Sequence, residues 1–202
     1  IVAVALRLNR NLNAMDVGGS QRAGTAVLGN GLRAGGKPTL VLASERLRAK
    51  PASVQEMQYG AGAAAFLLGS DNVAAELLGS ASVTTLLVDH FRAAGFAHDY
   101  FWEERWIREE GYLKIGAEVI GEALADAGVT AADVASFVFP APSRGVADAV
   151  PKKVGIAATA VADGLESDVG VTGAAHSLLM LSNVLDKAQP GQVIVVAGFG
   201  QG

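Results

Sequence analysis

The sequence predicts an α/β fold, because short apolar runs typical of buried strands alternate with segments whose apolar residues recur at helical spacing. The strand-like runs are residues 39–44, 134–139 and 193–197. The helical pattern occurs in residues 25–33 and in residues 113–128, where Gly128 is the expected C-cap. The 202 residues are 50% hydrophobic and 18% charged, a composition that supports one sizeable folded core.

The other elements are predicted from their own local signals. Residues 1–8 have the pattern of a helix already under way, and residues 12–17 form an apolar strand that runs into a glycine turn. Residues 58–69 give a glycine-rich entry into a buried strand, and residues 73–88, rich in β-branched side chains, predict a long further strand. A helix is predicted over residues 174–188. Because both ends fall in or beside such elements, we expect an internal piece of a longer chain.

Composition and charge argue against several classes of function. The net charge of −4 gives no basic surface, so we expect no nucleic-acid partner. No apolar run has the length of a membrane span and no charged leader is visible, so a cytoplasmic protein is expected. The absence of cysteine excludes disulfides, thiolate metal sites and a cysteine nucleophile within these residues. His90, His98 and His176 are too scattered to predict a metal site.

Residues 17–24, Val-Gly-Gly-Ser-Gln-Arg-Ala-Gly, form the turn around which the chain is organised. Its glycines permit backbone angles that a side chain would forbid. The helix N-terminus that follows favours developing negative charge, which is why enzymes place nucleophiles at such corners. The corner residue here is Gln21, whose amide is neither a nucleophile nor a base. A plain glycine corner is the alternative interpretation.

The segment Asp16-Val-Gly-Gly-Ser-Gln-Arg-Ala-Gly-Thr25 resembles the nucleophile corner of the thiolase superfamily, in particular of its hydroxymethylglutaryl-CoA synthase and ketosynthase III branch. Gln21 stands where that family has its acyl-accepting cysteine. The run Gly60-Ala-Gly-Ala-Ala-Ala-Phe66 is similar to the one that follows the family's corner helix. The resemblance implies the layered αβαβα thiolase fold, with helices 25–33 and 174–188 at its centre.

Two further segments of the chain resemble active-site segments of the family but carry a different residue at the functional position. Pro140 stands where the family has the histidine that moves protons, and Val171 where it has the active-site asparagine. Proline has no titratable nitrogen, so that role is absent. In the final glycine turn, the resemblance implies that the backbone N–H of Gln201 faces a thioester oxygen opposite the N–H of Gln21.

The resemblance also divides the chain into three segments. Residues 1–88 are the remainder of the N-terminal half, residues 89–112 are an aromatic connecting segment, and residues 113–202 are the C-terminal half without its last strand. Trp102 and Trp106 in the connecting segment predict either a lid over a bulky acyl group or an amphipathic helix or interface patch at the surface.

Three more residues are candidates for the site. Arg144 and Lys152, which follow the predicted strand near Pro142, are candidate substrate-binding residues. His176, at the start of a predicted helix, is a weak candidate for the general acid or base, and its alternative role is to pack against a neighbouring subunit. No covalently bound cofactor is expected, and a CoA thioester is implied as substrate or ligand.

Three functions compete. The first is a thiolase-superfamily subunit of a complex that forms or cleaves carbon–carbon bonds of acyl-CoA thioesters, catalytically degenerate itself. The second is an active lyase or thiolase without cysteine, which uses His176 and two backbone N–H groups. The third is a thioester decarboxylase that uses Gln21. The resemblance implies a homodimer or heterodimer of thiolase-fold subunits, with a small zinc-ribbon/OB-fold protein as a further partner.

Overall fold

The fold is built on short sheets that lie on either side of two central helices. The computed structural model describes residues 2–91, 93–141 and 145–200. In chain order the strands are β1 (Thr39–Arg46), β2 (Ala61–Leu68), β3 (His90–Phe91), β4 (Tyr100–Phe101), β5 (Val134–Val138) and β6 (Val193–Val196). The pairs β1–β2 and β3–β4 are antiparallel, and the pair β5–β6 is parallel.

Helices alternate with these strands. They are α1 (Val2–Ala5), α2 (Ala23–Ala34), α3 (Glu104–Trp106), α4 (Ala117–Ala127), α5 (Val146–Val154), α6 (Glu166–Val169) and α7 (His176–Leu185). A π-helical stretch, Ile107–Gly116, joins α3 to α4, so the chain is helical from residue 104 to residue 127. Short 3₁₀ turns occupy Val54–Met57, Ala131–Asp133, Ala158–Ala160 and Gly173–Ala175.

Apolar clusters arrange these elements in layers. The cluster between β1, α2 and α7 contains Leu28, Val41, Ala43, Ala175, Leu178 and Leu181. On another face of α7, Met180 packs against Val138 of β5. Phe137 points to the opposite face of β5, where it shares a third cluster with Ile120 of α4 and Val150 of α5. The order is therefore the β1–β2 sheet, the central helices α2 and α7, the β5–β6 sheet, and the outer helices α4 and α5.

β1 shows the two-residue period of a sheet with one covered face. Val41 and Ala43 are buried, whereas Leu40 and Leu42 are exposed. The register places Leu40 opposite Leu67, which is also exposed. The outer face of this sheet is therefore apolar and uncovered within the described residues.

The observed elements confirm most of the predicted ones. Helices α1, α2, α4 and α7 and strands β1, β2, β5 and β6 lie where they were expected, and Gly128, with φ +67°, caps α4. The strand predictions for residues 12–17 and 73–88 are wrong, since neither range contains a strand. Met15 is 77% exposed and Leu86 is 97% exposed, because these runs have no neighbouring strand to pair with. The segment boundaries after residues 88 and 112 stay predictions.

The two central helices approach very closely. A side chain at Gly24 would collide with the carbonyl oxygen of Ala174. One residue along, Thr25 Oγ1 and Ser177 Oγ form a hydrogen bond of 2.7 Å that joins α2 to α7. Gly198, which follows β6, packs against Thr25 so tightly that a Cβ there would lie 2.7 Å from Thr25 Oγ1. Small residues therefore set the spacing of the central layer.

Gly24→Ala is expected to lower the free energy of unfolding by about 1–3 kcal/mol, because the added methyl group meets a backbone carbonyl. Gly29→Ala in the same helix is the matched control, since its added methyl would lie 3.8 Å from the guanidinium nitrogens of Arg33, which is an ordinary van der Waals distance. Gly29→Ala is expected to raise the free energy of unfolding by about 0.5–1 kcal/mol, because alanine favours helix more than glycine does. Urea denaturation measures both, and equal effects would contradict the close approach.

Candidate functional site

A small cavity lies where three residues singled out by the sequence meet. Gln21, Pro140 and Val171 all line it, although they come from separate parts of the chain. The other walls include Tyr112, Glu166, His176 and Phe199. The cavity has a volume of about 20 Å³, enough for about one water molecule. The fold thus brings together the three positions that the sequence singled out.

The Gln21 turn presents backbone amides to this cavity region. α2 begins at Ala23 without a side-chain cap, and Arg22 N–H donates to Ser20 Oγ at 3.3 Å. Within the described residues, the N–H of Gln21 donates no hydrogen bond. A Cβ on Gly200 would lie 3.3 Å from Gln21 N, so the final glycine turn packs directly against this corner. An unpaired N–H at a helix N-terminus is suited to an anionic or carbonyl oxygen.

His176 is buried with both ring nitrogens hydrogen-bonded. Nδ1 accepts the N–H of Thr172 at 3.3 Å and lies 3.1 Å from Thr172 Oγ1. Nε2 lies 2.8 Å from the carbonyl oxygen of Gly164, so the neutral form with its proton on Nε2 satisfies these contacts. Burial lowers the pKa of His176, and the Gly164 carbonyl and Glu166 only partly oppose that shift.

Glu45 is a positioning residue that the sequence reasoning missed. Its carboxylate, on β1, accepts the N–H of Ala174 at 2.6 Å and so holds the 3₁₀ turn that precedes α7. A side chain at Gly173 would collide with this carboxylate. The available sequence signal was an acidic residue directly after the apolar part of a strand. Its partner lies 129 residues away, which no local pattern reveals.

Glu166 and Tyr112 also line the cavity and were not predicted as site residues. Glu166 Oε1 lies 3.9 Å from His176 Nε2, and the glutamate side chain is 44% exposed. Tyr112 is 3% exposed and stacks edge-on to Phe139 and at 4.4 Å from Phe199. Burial, with a smaller contribution from Asp89, raises the pKa of Tyr112, so its phenol keeps its proton. The sequence signal for Tyr112 was its place in the aromatic segment.

Other predicted site residues lie away from the cavity or outside the described residues. Trp102 is 52% exposed and Trp106 is 39% exposed, and neither lines the cavity. Lys152 is exposed on α5 and does not line it either. Outside the described part of the chain are Pro142, Arg144 and Gln201. The roles assigned to these residues stay predictions.

The described residues contain no group of three histidine, cysteine, aspartate or glutamate side chains placed to hold a metal ion. None of their helices combines the length and the apolar character needed to span a membrane.

Known proteins of one branch match this chain in sequence. Residues 124–202 match the family model 3-oxoacyl-[acyl-carrier-protein (ACP)] synthase III C terminal. The hydroxymethylglutaryl-CoA synthase of Methanosphaera stadtmanae is 30% identical over 207 residues, which cover 100% of this chain and 60% of that protein. The hydroxymethylglutaryl-CoA synthase of Aeropyrum pernix is 31% identical over 165 residues, covering 81% of this chain and 46% of that protein. The chain thus matches no more than 60% of either curated relative's length.

Solved structures share the fold. A hydroxymethylglutaryl-CoA synthase complexed with CoA has a TM-score of 0.75 at 20% identity, covering 93% of this chain and 52% of that one. The 3-oxoacyl-[acyl-carrier-protein] synthase III from Aquifex aeolicus has a TM-score of 0.80 at 18% identity, covering 96% of this chain and 65% of that one. The predicted thiolase-like fold is confirmed. The sequence matches and the shared fold confirm the predicted resemblance to the thiolase superfamily, in the branch of hydroxymethylglutaryl-CoA synthase and 3-oxoacyl-ACP synthase III.

Proposed function

We propose that this chain is a thioester-binding subunit of an assembly that forms or cleaves carbon–carbon bonds next to a CoA thioester, and that it forms no acyl-enzyme itself. The proposal rests on three residues of the cavity wall, Gln21, Pro140 and Val171. The resemblance assigns these positions to the cysteine, histidine and asparagine of that family. Neither a nucleophile nor a proton-moving group is present among these three side chains.

The proposed substrate class rests on the relatives. Those matched over the whole chain are hydroxymethylglutaryl-CoA synthases, and one structural neighbour is complexed with CoA. Claisen-type acyl transfer is therefore the chemistry proposed for the assembly. Binding contacts from Arg144 and Lys152, and an oxygen-binding N–H from Gln201, belong to the proposal.

The hydroxyl groups at the cavity are poor replacements for the absent cysteine. Thr25 and Ser177 hydrogen-bond to each other at 2.7 Å. Ser20, next to Gln21 in the chain, does not line the cavity. Its Oγ accepts the N–H of Arg22, and within the described residues no histidine or carboxylate hydrogen-bonds to it. A hydroxyl nucleophile needs an adjacent base to take its proton. This geometry supports the absence of covalent transfer to a hydroxyl group of the cavity.

The environment of His176 favours this proposal over a histidine-driven enzyme. Its two nitrogens are already bonded to Thr172 and Gly164, so proton transfer to a substrate would break a buried hydrogen bond. The decarboxylase hypothesis for Gln21 also lacks support, because Pro140 leaves no histidine at the end of β5.

The proposed assembly is a homodimer or heterodimer of thiolase-fold subunits, with a zinc-ribbon/OB-fold protein as a further partner. Two exposed apolar regions support a partner of this kind. One is the outer face of the β1–β2 sheet, and the other is the surface that carries Trp102 and Trp106. Soluble monomers rarely leave large apolar patches in water.

Incubation of the purified chain with acetyl-CoA is expected to leave its intact mass unchanged, because no activated nucleophile lines the cavity. Gln21→Cys is expected to acylate slowly at most, since Pro140 and Val171 supply neither a proton-moving nor an orienting group. Gln21→Ala serves as the control for the substitution itself. Mass spectrometry measures all three, and a stable acetyl adduct on the unaltered chain would overturn the proposal.

The stability of the protein is expected to depend on pH through His176. Because burial lowers its folded pKa, the neutral histidine contributes stability that is fully present above the unfolded value of 6.5 and is lost as pH falls below it toward the folded pKa. His176→Gln keeps a donor for Gly164 but does not titrate, so it is expected to lack this slope and to cost about 1–3 kcal/mol at neutral pH. Thermal unfolding of the unaltered protein and of His176→Gln across this pH range tests both expectations. If the two proteins showed the same dependence of stability on pH, the assignment of a neutral His176 would be contradicted.

Trp106→Ala is expected to weaken association with the partner subunit, because interface tryptophans often contribute ~2 kcal/mol or more to binding. Lys153→Ala, an exposed position on α5, is the control. Sedimentation velocity of the purified protein measures the association of both variants. Unchanged association after Trp106→Ala would place the partner on another surface.

A further inference from the structure

We propose that the π-helical stretch Ile107–Gly116 is a gate on the cavity. In the closed form its wide turns hold Tyr112 against Phe139 and Phe199, and rewinding into an α-helix turns Tyr112 away and enlarges the cavity. The closed cavity, at about 20 Å³, holds about one water molecule. The inference goes beyond the proposed function and does not depend on it, because the opening is a change of this chain alone and needs no ligand.

The sequence of this stretch favours an α-helix over the winding that it has. All ten residues are π-helical, whereas π-helix is rare and mostly limited to a single turn inside an α-helix. The arginine, glutamates, leucine and lysine of the stretch are all good α-helix formers. Lys114 and Glu110 form an exposed salt bridge of 2.8 Å at the four-residue spacing that pairs side chains on an α-helix. Contacts with the rest of the protein therefore hold the wide turns in place.

Those contacts come from an aromatic cluster, Tyr112, Phe139 and Phe199. The Tyr112 ring is buried, with its centroid 4.4 Å from that of Phe199 and 5.7 Å from that of Phe139. The backbone of Gly111 packs against Phe199 so closely that a Cβ there would lie 2.8 Å from Phe199 Cζ. Tyr112 and Phe199 also line the cavity. The contacts that hold the π winding are therefore the same ones that close the cavity on this side.

Rewinding moves Tyr112 because the helix that follows is anchored. Ile120 and Leu124 fix α4 in the apolar core. A π turn, closed from residue i to residue i+5, contains more residues than an α turn, closed from i to i+4. With α4 fixed, a change from π to α winding rotates every preceding residue of the stretch about the helix axis. Tyr112 then leaves the aromatic cluster, and the cavity loses that wall.

The first test is fluorine NMR of the protein labelled with fluorotyrosine. Tyr59→Phe and Tyr100→Phe leave Tyr112 as the one labelled position, since the chain has three tyrosines. The Tyr59 hydroxyl is buried without a hydrogen-bond partner among the described residues, so its removal is expected to cost little stability. A shift of the resonance between H₂O and D₂O identifies a ring that faces solvent. We expect two exchanging forms, a major one shielded from solvent and a minor one that shows this shift.

Two glycines of the stretch form a matched pair of variants. Gly111→Ala is expected to raise the ratio of the open to the closed form by ~10-fold, because the added methyl group overlaps Phe199 in the closed form alone. Gly116→Ala is the control, because this glycine is also buried in the stretch but its Cβ would lie 3.9 Å from the Gly111 carbonyl oxygen, an ordinary contact. That variant is expected to leave the ratio unchanged.

A second variant tests the winding without adding bulk to the core. Deletion of Glu109, an exposed residue of the stretch, removes one of the residues that the wide turns accommodate. The deletion is expected to make the solvent-facing form of Tyr112 the major one. Thermal unfolding of each variant confirms that it is folded at the temperature of the measurement.

Amide hydrogen exchange distinguishes a gate from a general loss of stability. In the unaltered protein, the amides of residues 107–116 are expected to exchange faster than those of residues 117–127, through local opening of the stretch alone. Gly111→Ala is expected to speed exchange in residues 107–116 and to leave residues 117–127 unchanged. A variant that is merely less stable would speed exchange in both ranges.

Four results would each overturn the gate. They are equal exchange in the two ranges of the unaltered protein, a Tyr112 signal that stays shielded from solvent in both Gly111→Ala and the deletion, equal effects of Gly111→Ala and Gly116→Ala, and faster exchange in both ranges after Gly111→Ala. Because no ligand is present in these measurements, such results would leave the proposed function standing. An acetyl adduct on the unaltered chain would in turn contradict the proposed function and leave the gate standing.

Discussion

The close approach of α2 and α7 is the constraint on which the rest of the structure depends. At Gly24 there is no room for a side chain beside the Ala174 carbonyl, and the Thr25–Ser177 hydrogen bond joins the same two helices. Both helices begin at the cavity. Their spacing therefore fixes the distance between the Gln21 turn and the turn that carries Val171, and a change in one would open or close the site.

Buried hydrogen bonds, together with the close helix packing, hold the turns around the cavity in place. Glu45 holds the turn before α7, and Thr172 and Gly164 hold the ring of His176 from its two sides. The Glu45 contact joins parts of the chain that are 129 residues apart, and the His176 contacts join the start of α7 to the loop at Gly164. Because an unpaired polar group in such a place would cost free energy, the network favours one arrangement of the loops around the cavity.

Local patterns predicted the central helices and the paired strands, because hydrophobic periodicity reports directly on burial. The same patterns failed for residues 73–88, where apolar and β-branched side chains have no neighbouring strand in the described structure. The turn of Gln21 was found because glycines mark it. Glu45 and Glu166 were missed because their roles depend on contacts with Ala174 and with the cavity, and no local signal distinguishes them from surface acids.

Backbone and side-chain contributions to the cavity are separable. The N–H of Gln21 and the start of α2 depend on the glycine turn and on helix packing, not on the side chain at position 21. The corner therefore offers a backbone donor suited to a carbonyl oxygen whatever side chain stands at position 21. Proton transfer is a side-chain property, and Pro140 in the cavity wall has no titratable atom with which to perform it.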